Sequence, residues 1–405
     1  MTQILTATAE AEQDFQASFA KLIAAPTESP FSNAAMAFCA ELSQALFRAD
    51  MKDRPEVHAL AYWCRPAEVT RLKSSFAELA TGHTILAPRG TVFHVPPVNV
   101  ETLFLYGWLY SILCGNRNVV RISSRSSGLT TELCAIVGAV LSHYPELERI
   151  NMAVRYGHDD QLTSDISANC DVRIVWGGDE TVRALRRVPM APTAKDICFP
   201  DRYSYSIVAA AAYVASSEEQ KRVLARAFYN DCYWFDQMAC SSPRLIAWYG
   251  SDEESLVGSK IFCNLLASEV AAHQYSTEAA VRSNKLLFSS GLILDQAVDG
   301  YETYGTELTV LRLKDLTTLA REHCGGGLLL SVNVPELSSL KEIVQRRDQT
   351  LTYFGFDHQQ IKAFAGDLNG RGIDRIVPIG QALTFNRYWD GYDLLQELTR
   401  RVWMQ

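Results

Sequence analysis

The residue best suited to covalent chemistry is Cys240, which stands in the run Asp-Gln-Met-Ala-Cys-Ser-Ser-Pro at 236–243. The run lies between a predicted helix over 218–233 and a predicted strand over 245–248. A thiol at such a junction can face a cleft and be activated by backbone dipoles, which makes it a candidate nucleophile. The alternative is a structural cysteine, because the chain has 10 cysteines. They form no C-x-x-C pair, and this usage predicts reduced thiols in a cytoplasm rather than a disulfide framework.

A second candidate group begins at Asn99, which follows a predicted strand and the pair Pro-Pro. A predicted buried helix over 101–114 comes next, and then a Gly-Asn turn. The strand after the turn carries Arg121 and ends in Ser123 and Ser124. By itself this order is equally compatible with an ordinary α/β unit that contains a Gly-Asn turn.

Two adjacent glycines, Gly177 and Gly178, separate a predicted strand over 171–176 from a predicted helix over 180–187. Glycines allow close approach of a ligand to the backbone, and the free N–H groups of a helix start attract phosphate. An ordinary tight turn accounts for the two glycines as well.

Composition excludes several classes of protein. The chain of 405 residues is 48% hydrophobic and 21% charged, which is typical of a globular protein, and its net charge of -8 argues against nucleic acid as the main partner. The longest apolar run, 103–114, is shorter than the roughly 20 residues of a membrane span. The first fifteen residues lack the pattern of a secretory signal, so we expect a soluble, cytoplasmic protein. The eight histidines are scattered singly, and we predict no metal site.

The elements that would position these residues follow a clear order. Residues 9–80 show helical periodicity, and from residue 83 short β-rich runs alternate with helical stretches. A second such series begins near 205. A loop-rich stretch over 366–380 leads to a predicted terminal helix over 393–402. Strands that alternate with helices predict a mostly parallel sheet covered on both faces.

The Asn99 segment resembles the aldehyde dehydrogenase superfamily, whose pattern is P-W-N-x-P, a helix, and then G-N-x-V-V-x-K-P-S. In that superfamily the asparagine amide donates to the substrate oxyanion, and the lysine and its neighbours hold the adenosine ribose of the cofactor. The resemblance therefore implies an oxyanion donor at Asn99 and a cofactor site at Arg121, Ser123 and Ser124.

Two shorter segments resemble the same superfamily. The strand that ends in Gly177 and Gly178 resembles its F-T-G-S-x-x-V-G segment, which lies under the cofactor pyrophosphate. The run Glu-Thr-Tyr-Gly that starts at Glu302 resembles its E-x-F-G, whose glutamate binds the nicotinamide ribose. A solvated glutamate in a loop is the alternative for this short match, and Glu307 is the second choice for the role.

The setting of Cys240 resembles the G-Q-x-C nucleophile of the superfamily and, still more, the D-Q-x-A-C-S-S-P form of the LuxC-type acyl-CoA reductases. Other segments resemble that subfamily in the same order, and the likeness runs from about residue 55 to 400. They are 55–65, 199–208, 372–380 and the Trp-Asp-Gly at 389–391.

The resemblance implies an α/β, aldehyde dehydrogenase-like fold with two Rossmann-like three-layer domains, parallel-rich sheets and an active site in the interdomain cleft. We expect N-terminal helices and an NADP-binding domain over 1–209, and a catalytic domain with the cysteine nucleophile over 210–370. A C-terminal segment over 371–405 would pack back on the first domain. Because the superfamily forms dimers and tetramers, we also expect a homo-oligomer.

Two departures from the superfamily pattern bear on the reaction. Hydrolytic members carry E-L-G-G, whose glutamate activates water, whereas this chain has Phe-Pro-Asp-Arg at 199–202. The missing glutamate favours reduction of a thioester over oxidation of an aldehyde. Arg121 replaces the lysine, and Ser124 replaces the glutamate that repels a 2′-phosphate, so NADPH is the expected cofactor.

The sequence therefore predicts an oxidoreductase that reduces an acyl thioester, such as a fatty acyl-CoA, to an aldehyde through an acyl-enzyme on Cys240. The resemblance admits a partner acyl-protein synthetase or an acyl carrier protein as the acyl donor as well as CoA. The alternatives are a CoA-acylating or hydrolytic aldehyde dehydrogenase running in the oxidative direction, and a catalytically silent protein of the same fold.

Overall fold

The structure is a computed structural model that describes residues 2–5, 14–49, 51, 54–97, 102–126, 128–157, 159–295, 298–317 and 319–405. The chain divides into two compact units, Met1–Pro200 with Tyr392–Gln405, and Asp201–Gly391. The domain boundaries expected from the sequence, 1–209, 210–370 and 371–405, remain predictions.

Helices and strands alternate along most of the described chain. The helices are α1 (Phe15–Ala24), α2 (Asn33–Arg48), α3 (Pro55–Trp63), α4 (Pro66–Ala77), α5 (Leu103–Leu113), α6 (Gly128–Leu141), α7 (Pro145–Glu148), α8 (Asp160–Ala168), α9 (Asp179–Arg186), α10 (Ala210–Ala215), α11 (Glu218–Tyr233), α12 (Asp252–Ala272), α13 (Ala279–Asp295), α14 (Leu337–Ile343), α15 (His358–Leu368) and α16 (Leu394–Glu397). The strands are β1 (Gln3–Ile4), β2 (Thr84–Pro88), β3 (Thr91–Val95), β4 (Arg117–Ser123), β5 (Asn151–Tyr156), β6 (Val172–Trp176), β7 (Lys195–Phe199), β8 (Tyr203–Ala209), β9 (Leu245–Tyr249), β10 (Val298–Tyr304), β11 (Leu308–Leu313), β12 (Leu328–Val334), β13 (Asp348–Phe354), β14 (Arg375–Pro378), β15 (Tyr388–Trp389), β16 (Tyr392–Asp393) and β17 (Thr399–Trp403). Among these helices, none has the length and hydropathy needed to cross a bilayer.

The first unit contains a six-stranded sheet in the order β1-β5-β4-β3-β6-β7. Strands β3 to β7 are parallel, and β1 pairs antiparallel at one edge. Every residue of β3 and β6 is buried, as expected for strands that helices cover on both faces. Counted in order of appearance, the parallel strands lie 3-2-1-4-5, which is the order of a doubly wound nucleotide-binding sheet. Their carboxyl ends therefore share the edge at which such sheets bind nucleotides.

The second unit contains a seven-stranded sheet in the order β10-β11-β12-β9-β8-β13-β14, parallel in all described pairings except β10 with β11. Successive residues of β9 face opposite sides: Ala247 joins one buried apolar cluster, whereas Ile246 and Trp248 join the other. Both faces are thus covered, which confirms the predicted α/β class.

One local expectation is wrong, and so is the loop in the alternative interpretation of Glu302. The helix predicted over 393–402 is only the short α16, and the residues after it form β17, which pairs antiparallel with β2. The leucines of this segment match helical spacing, but the edge of β2 offers unpaired backbone groups, and this tertiary pairing overrides the local pattern. Glu302 lies on the edge strand β10 and not in a loop.

Candidate active site

Cys240 lies in the loop between α11 and β9, as the sequence predicts. A capping box between Ser217 and Gln220 begins α11, and the helix ends at Tyr233. The backbone then turns sharply through Asp236 and Gln237, whose φ angles of 52° and 62° are left-handed. Because left-handed conformations are unfavourable for residues other than glycine, this turn is a strained segment directly before the cysteine.

The turn is held by buried hydrogen bonds. The backbone N–H of Gln237 donates to the carbonyl of Cys232 at 2.6 Å, and the side-chain amide of Gln237 donates to the carbonyl of Pro243 at 2.9 Å. Outside the loop, the backbone N–H of Gly326 donates to the carbonyl of Asp236 at 2.9 Å. These bonds fix the course of the loop that presents the thiol.

Cys240 itself is fixed by side chains from distant parts of the sequence. The hydroxyl of Ser204 on β8 donates to the Cys240 carbonyl at 2.7 Å and accepts from the backbone N–H of Thr350 on β13 at 3.1 Å. The guanidinium of Arg244 donates to the carbonyls of Ala239 at 3.1 Å and Arg202 at 2.7 Å. The nucleophile candidate therefore sits at the amino-terminal ends of the adjacent strands β8, β9 and β13.

Charges of both signs act on the Cys240 thiol. Burial raises its pKa to about 11, and the carboxylate of Asp390 adds to that increase. Arg244, a hydrogen bond from the Gln349 side chain and Arg202 act in the opposite direction. A thiol with this pKa is mostly protonated at neutral pH, and the surrounding charges set how readily it ionises. All ten cysteines are free thiols, and only Cys240 and Cys324 are not fully buried.

Several buried polar atoms around Cys240 have no hydrogen-bond partner within the described ranges. They are Oε1 of Gln237, Oγ of Ser241, Nε of Arg244 and Oδ2 of Asp390. Most buried polar groups in folded proteins are paired, so a group of unpaired ones around one thiol is a mark of a site that binds polar atoms.

The predicted cofactor residues lie at the carboxyl edge of the first sheet. Arg121 and Ser123 are on β4, and Ser124 follows directly after it. The Arg121 guanidinium donates to the carbonyl of Gly157 at 3.1 Å and lies 4.9 Å from the Tyr156 ring centre. A Cβ atom on Gly157 would lie 3.6 Å from the Ser124 hydroxyl oxygen. Arg121 and Ser124 are thus brought to the same glycine at the end of the neighbouring strand β5.

Gly177 and Gly178 follow β6 at this same edge. Gly178 caps α9, and the first turn of that helix carries Asp179 and Glu180. A Cβ atom on Gly177 would lie 3.2 Å from the Thr181 side chain, and the backbone N–H of Gly177 donates to the carbonyl of Phe199 at 3.2 Å. The glycines are therefore close to neighbouring protein atoms, and their pyrophosphate role stays a prediction.

The two glutamate candidates differ in their surroundings. Glu302 is partly exposed on β10, accepts from the Tyr304 hydroxyl at 2.6 Å and lies 3.8 Å from Arg312. Glu307 is buried and accepts from the Thr277 hydroxyl at 2.8 Å. Burial raises the pKa of Glu307, but its hydrogen bonds outweigh that effect and leave the pKa below its ordinary value. Glu302 is the more accessible of the two.

Asn99 lies outside the described residues, so its oxyanion role stays a prediction. No group of three or more His, Cys, Asp or Glu side chains suited to a metal ion occurs in the part of the chain that the structure describes.

The sequence missed the residues that surround the thiol. Ser204 and Asp390 lie in segments that the family resemblance includes, 199–208 and the Trp-Asp-Gly at 389–391, and Arg244 directly follows the Cys240 motif, but the sequence assigned none of them a role. Gln349 carries no motif. These residues meet because β8, β9 and β13 are neighbours in the sheet, which the order along the chain does not reveal.

The fold is that of known aldehyde dehydrogenases. Aldehyde dehydrogenase 21 from Physcomitrella patens superposes with a TM-score of 0.68 at 11% identity, over 97% of this chain and 90% of that one. An aldehyde dehydrogenase from Mycobacterium tuberculosis, solved with NAD⁺, gives a TM-score of 0.66 at 12% identity, over 95% and 88% of the two chains. The expected aldehyde dehydrogenase-like fold is confirmed.

Similarity in sequence is more specific. Long-chain acyl-protein thioester reductase from Aliivibrio fischeri is 24% identical over 322 residues, which are 77% of this chain and 62% of that protein. The reductase of the same name from Photorhabdus luminescens is 24% identical over 169 residues, or 41% and 33% of the two chains. The chain thus spans less than two thirds of the length of these relatives. The family model described as acyl-CoA reductase (LuxC) matches residues 72–401, and the chain belongs to that family.

Proposed function

We propose that this protein reduces an acyl thioester to an aldehyde with NADPH, through an acyl-enzyme on Cys240. The observation that carries the proposal is the setting of Cys240: a partly exposed residue on a strained loop, fixed by Ser204 and Arg244 and surrounded by unpaired buried polar atoms. Membership of the acyl-CoA reductase family and similarity to proteins named acyl-protein thioester reductases support the same reaction.

In the first half-reaction, Cys240 Sγ attacks the thioester carbonyl and expels the thiol of CoA or of an acyl carrier. The proton lost by Cys240 appears on the departing thiol, so the exchange is balanced. The developing oxyanion would be held by the Asn99 amide and the backbone N–H of Cys240, worth roughly 3 kcal/mol per donor in comparable sites. A thiolate both attacks and leaves well, which favours cysteine over serine here.

The carboxyl edge of the first sheet fits NADPH. Nε of Arg121 is buried and has no hydrogen-bond partner among the described residues, and Ser124 and Arg125 are exposed beside it. These three side chains would take the adenosine 2′-phosphate, with Ser123 at the ribose; Gly177, Gly178 and Glu302 are the proposed contacts farther along the cofactor. NADPH bound there would supply a hydride to the Cys240 thioester. With one proton from the medium, the thiohemiacetal on Cys240 then collapses to aldehyde and free thiol.

The sequence departure at 199–202 supports reduction over hydrolysis. Arg202 occupies the end of this segment, and its guanidinium is bound by Asp374 and the carbonyl of Arg347. No glutamate stands here to activate water, and a well-placed general base contributes typically 10²–10⁴-fold. The acyl-enzyme is therefore expected to last long enough to accept hydride.

Acyl transfer can be tested without turnover. Mixing the protein with acyl-CoA in the absence of NADPH should add one acyl mass, mapped by peptide mass spectrometry to Cys240. Cys240→Ser should abolish the thioester adduct, and Cys324→Ser is the matched control because Cys324 is the other half-buried thiol. An adduct on Cys324 or Cys232 would refute the assignment.

With NADPH the product should be aldehyde, whereas rapid CoA-independent oxidation of aldehyde to acid would establish a hydrolytic dehydrogenase.

Cofactor preference is tested at Ser124. A carboxylate there should repel the 2′-phosphate, so Ser124→Glu should shift the ratio of kcat/KM for NADPH and NADH toward NADH, with Ser126→Glu as a nearby control. A wild-type protein that favours NADH tenfold would contradict the proposal for this strand end.

The compartment, the acyl donor and the oligomeric form of the protein are also proposals. Ten free cysteines favour a reducing compartment such as the cytoplasm. The acyl donor is either acyl-CoA or an acyl group delivered by an acyl-protein synthetase or carrier protein, and the functional form is a homo-oligomer.

A further inference from the structure

We propose that Gln349 is a positioning residue for Cys240, that its side-chain amide donates a hydrogen bond to the Cys240 sulfur, and that Asp390 fixes the amide in that orientation. This inference rests on the proposed role of Cys240 as nucleophile. It adds the group that sets how readily the Cys240 thiol ionises.

The orientation of Gln349 follows from its partners. Its Nε2 donates to Oδ1 of Asp390, and its Oε1 accepts from the Thr350 hydroxyl at 3.5 Å. Asp390 is buried, and as a carboxylate it only accepts, so it must face the NH₂ group of the amide and not its oxygen. One N–H of Nε2 is used by Asp390. The other N–H is the donor that we assign to the Cys240 sulfur, and the Gln349 side chain accordingly acts to lower the pKa of that thiol.

The backbone independently brings Gln349 to the cysteine. Ser204 links the Cys240 carbonyl to the backbone N–H of Thr350, the residue next to Gln349 on β13. On the other side of Gln349, Arg321 holds Asp348, the first residue of β13, through two hydrogen bonds of 2.7 and 2.9 Å. Gln349 therefore projects from a strand end that is anchored on both sides.

The buried Asp390 carboxylate is unfavourable for the stability of the fold. Its φ is 49°, its Oδ2 has no hydrogen-bond partner in the described chain, and the nearest cation is Nη1 of Arg202 at 3.9 Å. Burial raises the pKa of Asp390 to about 6, so it is largely ionised at neutral pH. A buried carboxylate this poorly paired is unfavourable for stability, which is the expected signature of a group kept for function.

The remaining charges that act on the Cys240 thiol come from several elements, and they stay in place in the variants used below. They are Arg202 before β8, Arg244 before β9 and Arg375 on β14. Asp374 and Arg346 act on Asp390 in turn.

The geometry predicts opposite effects at the two positions. Gln349→Met keeps the side-chain volume but removes the N–H donor, so the thiol pKa should rise and alkylation of Cys240 by iodoacetamide at pH 8 should slow about tenfold, one pKa unit. Asp390→Asn keeps an acceptor for Gln349, suits a left-handed φ and removes the negative charge. The thiol pKa should then fall, and alkylation at pH 8 should accelerate about threefold or more.

The experiment is a pH profile of Cys240 alkylation from pH 6 to 10, followed by peptide mass spectrometry, for wild type, Gln349→Met and Asp390→Asn. Thr352→Val is the control, because Thr352 is equally buried on β13 but bonds only Ser206. Shifts of opposite sign support the proposal. Shifts of the same sign, or no shift in Gln349→Met, overturn it. If Gln349→Met does not fold, Gln349→Asn, whose amide is one methylene short of the sulfur, should show the same slowing. The alkylation profile needs no acyl donor, so its outcome is independent of whether Cys240 is acylated.

Discussion

Replacing Ser204 by alanine removes one oxygen atom that serves two buried partners. The hydroxyl accepts from the Thr350 N–H at 3.1 Å and donates to the Cys240 carbonyl at 2.7 Å, and the residue is 0% exposed. Each backbone group left unpaired costs about 1–3 kcal/mol, so Ser204→Ala should lower the free energy of unfolding by about 2–6 kcal/mol. It should also release the Cys240 backbone from β8 and β13.

Loosening Cys240 should slow acylation beyond what reduced stability explains. A small displacement of a reacting group can cost about 10²-fold in rate, so the single-turnover rate of acyl-enzyme formation should fall about 10- to 100-fold. Stopped-flow or quenched mass spectrometry with excess acyl-CoA measures this rate, at a temperature where circular dichroism shows the variant folded.

Ser206→Ala supplies the matched control. Ser206 lies two residues along the same strand, is also 0% exposed, and bonds the Thr352 hydroxyl at 2.5 Å without touching Cys240. Its loss should reduce stability but leave acylation of the folded protein within a few-fold of wild type. If Ser204→Ala acylates as fast as Ser206→Ala, the hydroxyl is only structural and the reasoning is refuted.

Two further predictions concern more distant parts of the molecule. Asn99→Ala should lower kcat by roughly 10²–10³-fold with little change in KM, because an oxyanion donor acts only in the transition state; a folded variant with wild-type turnover would show that Asn99 is a turn residue. Arg321→Met should destabilise the second unit by about 3–5 kcal/mol in urea titrations, since it leaves the fully buried Asp348 carboxylate without its cation, and adding Asp348→Asn should restore part of the loss. Equal stability of Arg321→Met and wild type would contradict that account.

The sequence predicted the class of the fold because its signals are local. The buried helix expected over 101–114 is α5, and the strand expected over 118–122 is β4. Such elements have a clear hydrophobic period and turn residues at their ends. Local signals failed at residues 399–403, because β17 forms only by pairing with β2, a strand more than three hundred residues earlier.

The site residues also fall into two groups, those that a local motif indicates and those that only the tertiary structure brings together. Cys240 could be proposed as the nucleophile because its short-range motif is specific, and Arg121 and Ser124 could be proposed as cofactor contacts because they lie at the end of a recognisable strand. Gln349 could not, since an isolated glutamine has no distinctive spacing, and Asp390 could be placed in a family-like segment but not beside the thiol. Their importance depends on strand order, on burial and on which hydrogen bonds remain unpaired.

The return of residues Tyr392–Gln405 to the first unit has a consequence for how the protein is made. β2 acquires its partner β17, and Asn116 gains a hydrogen bond of 2.9 Å to the Leu398 carbonyl, only when the final residues are in place. On the ribosome, the second unit is therefore synthesised in full, and is free to fold, before the first can be completed. A nascent chain that stalls before residue 392 would carry a finished second unit beside an unfinished first one, with the edge of β2 open to pairing with other chains. Deletion of residues 392–405 should accordingly cause aggregation through the first unit, far along the sequence from the alteration itself.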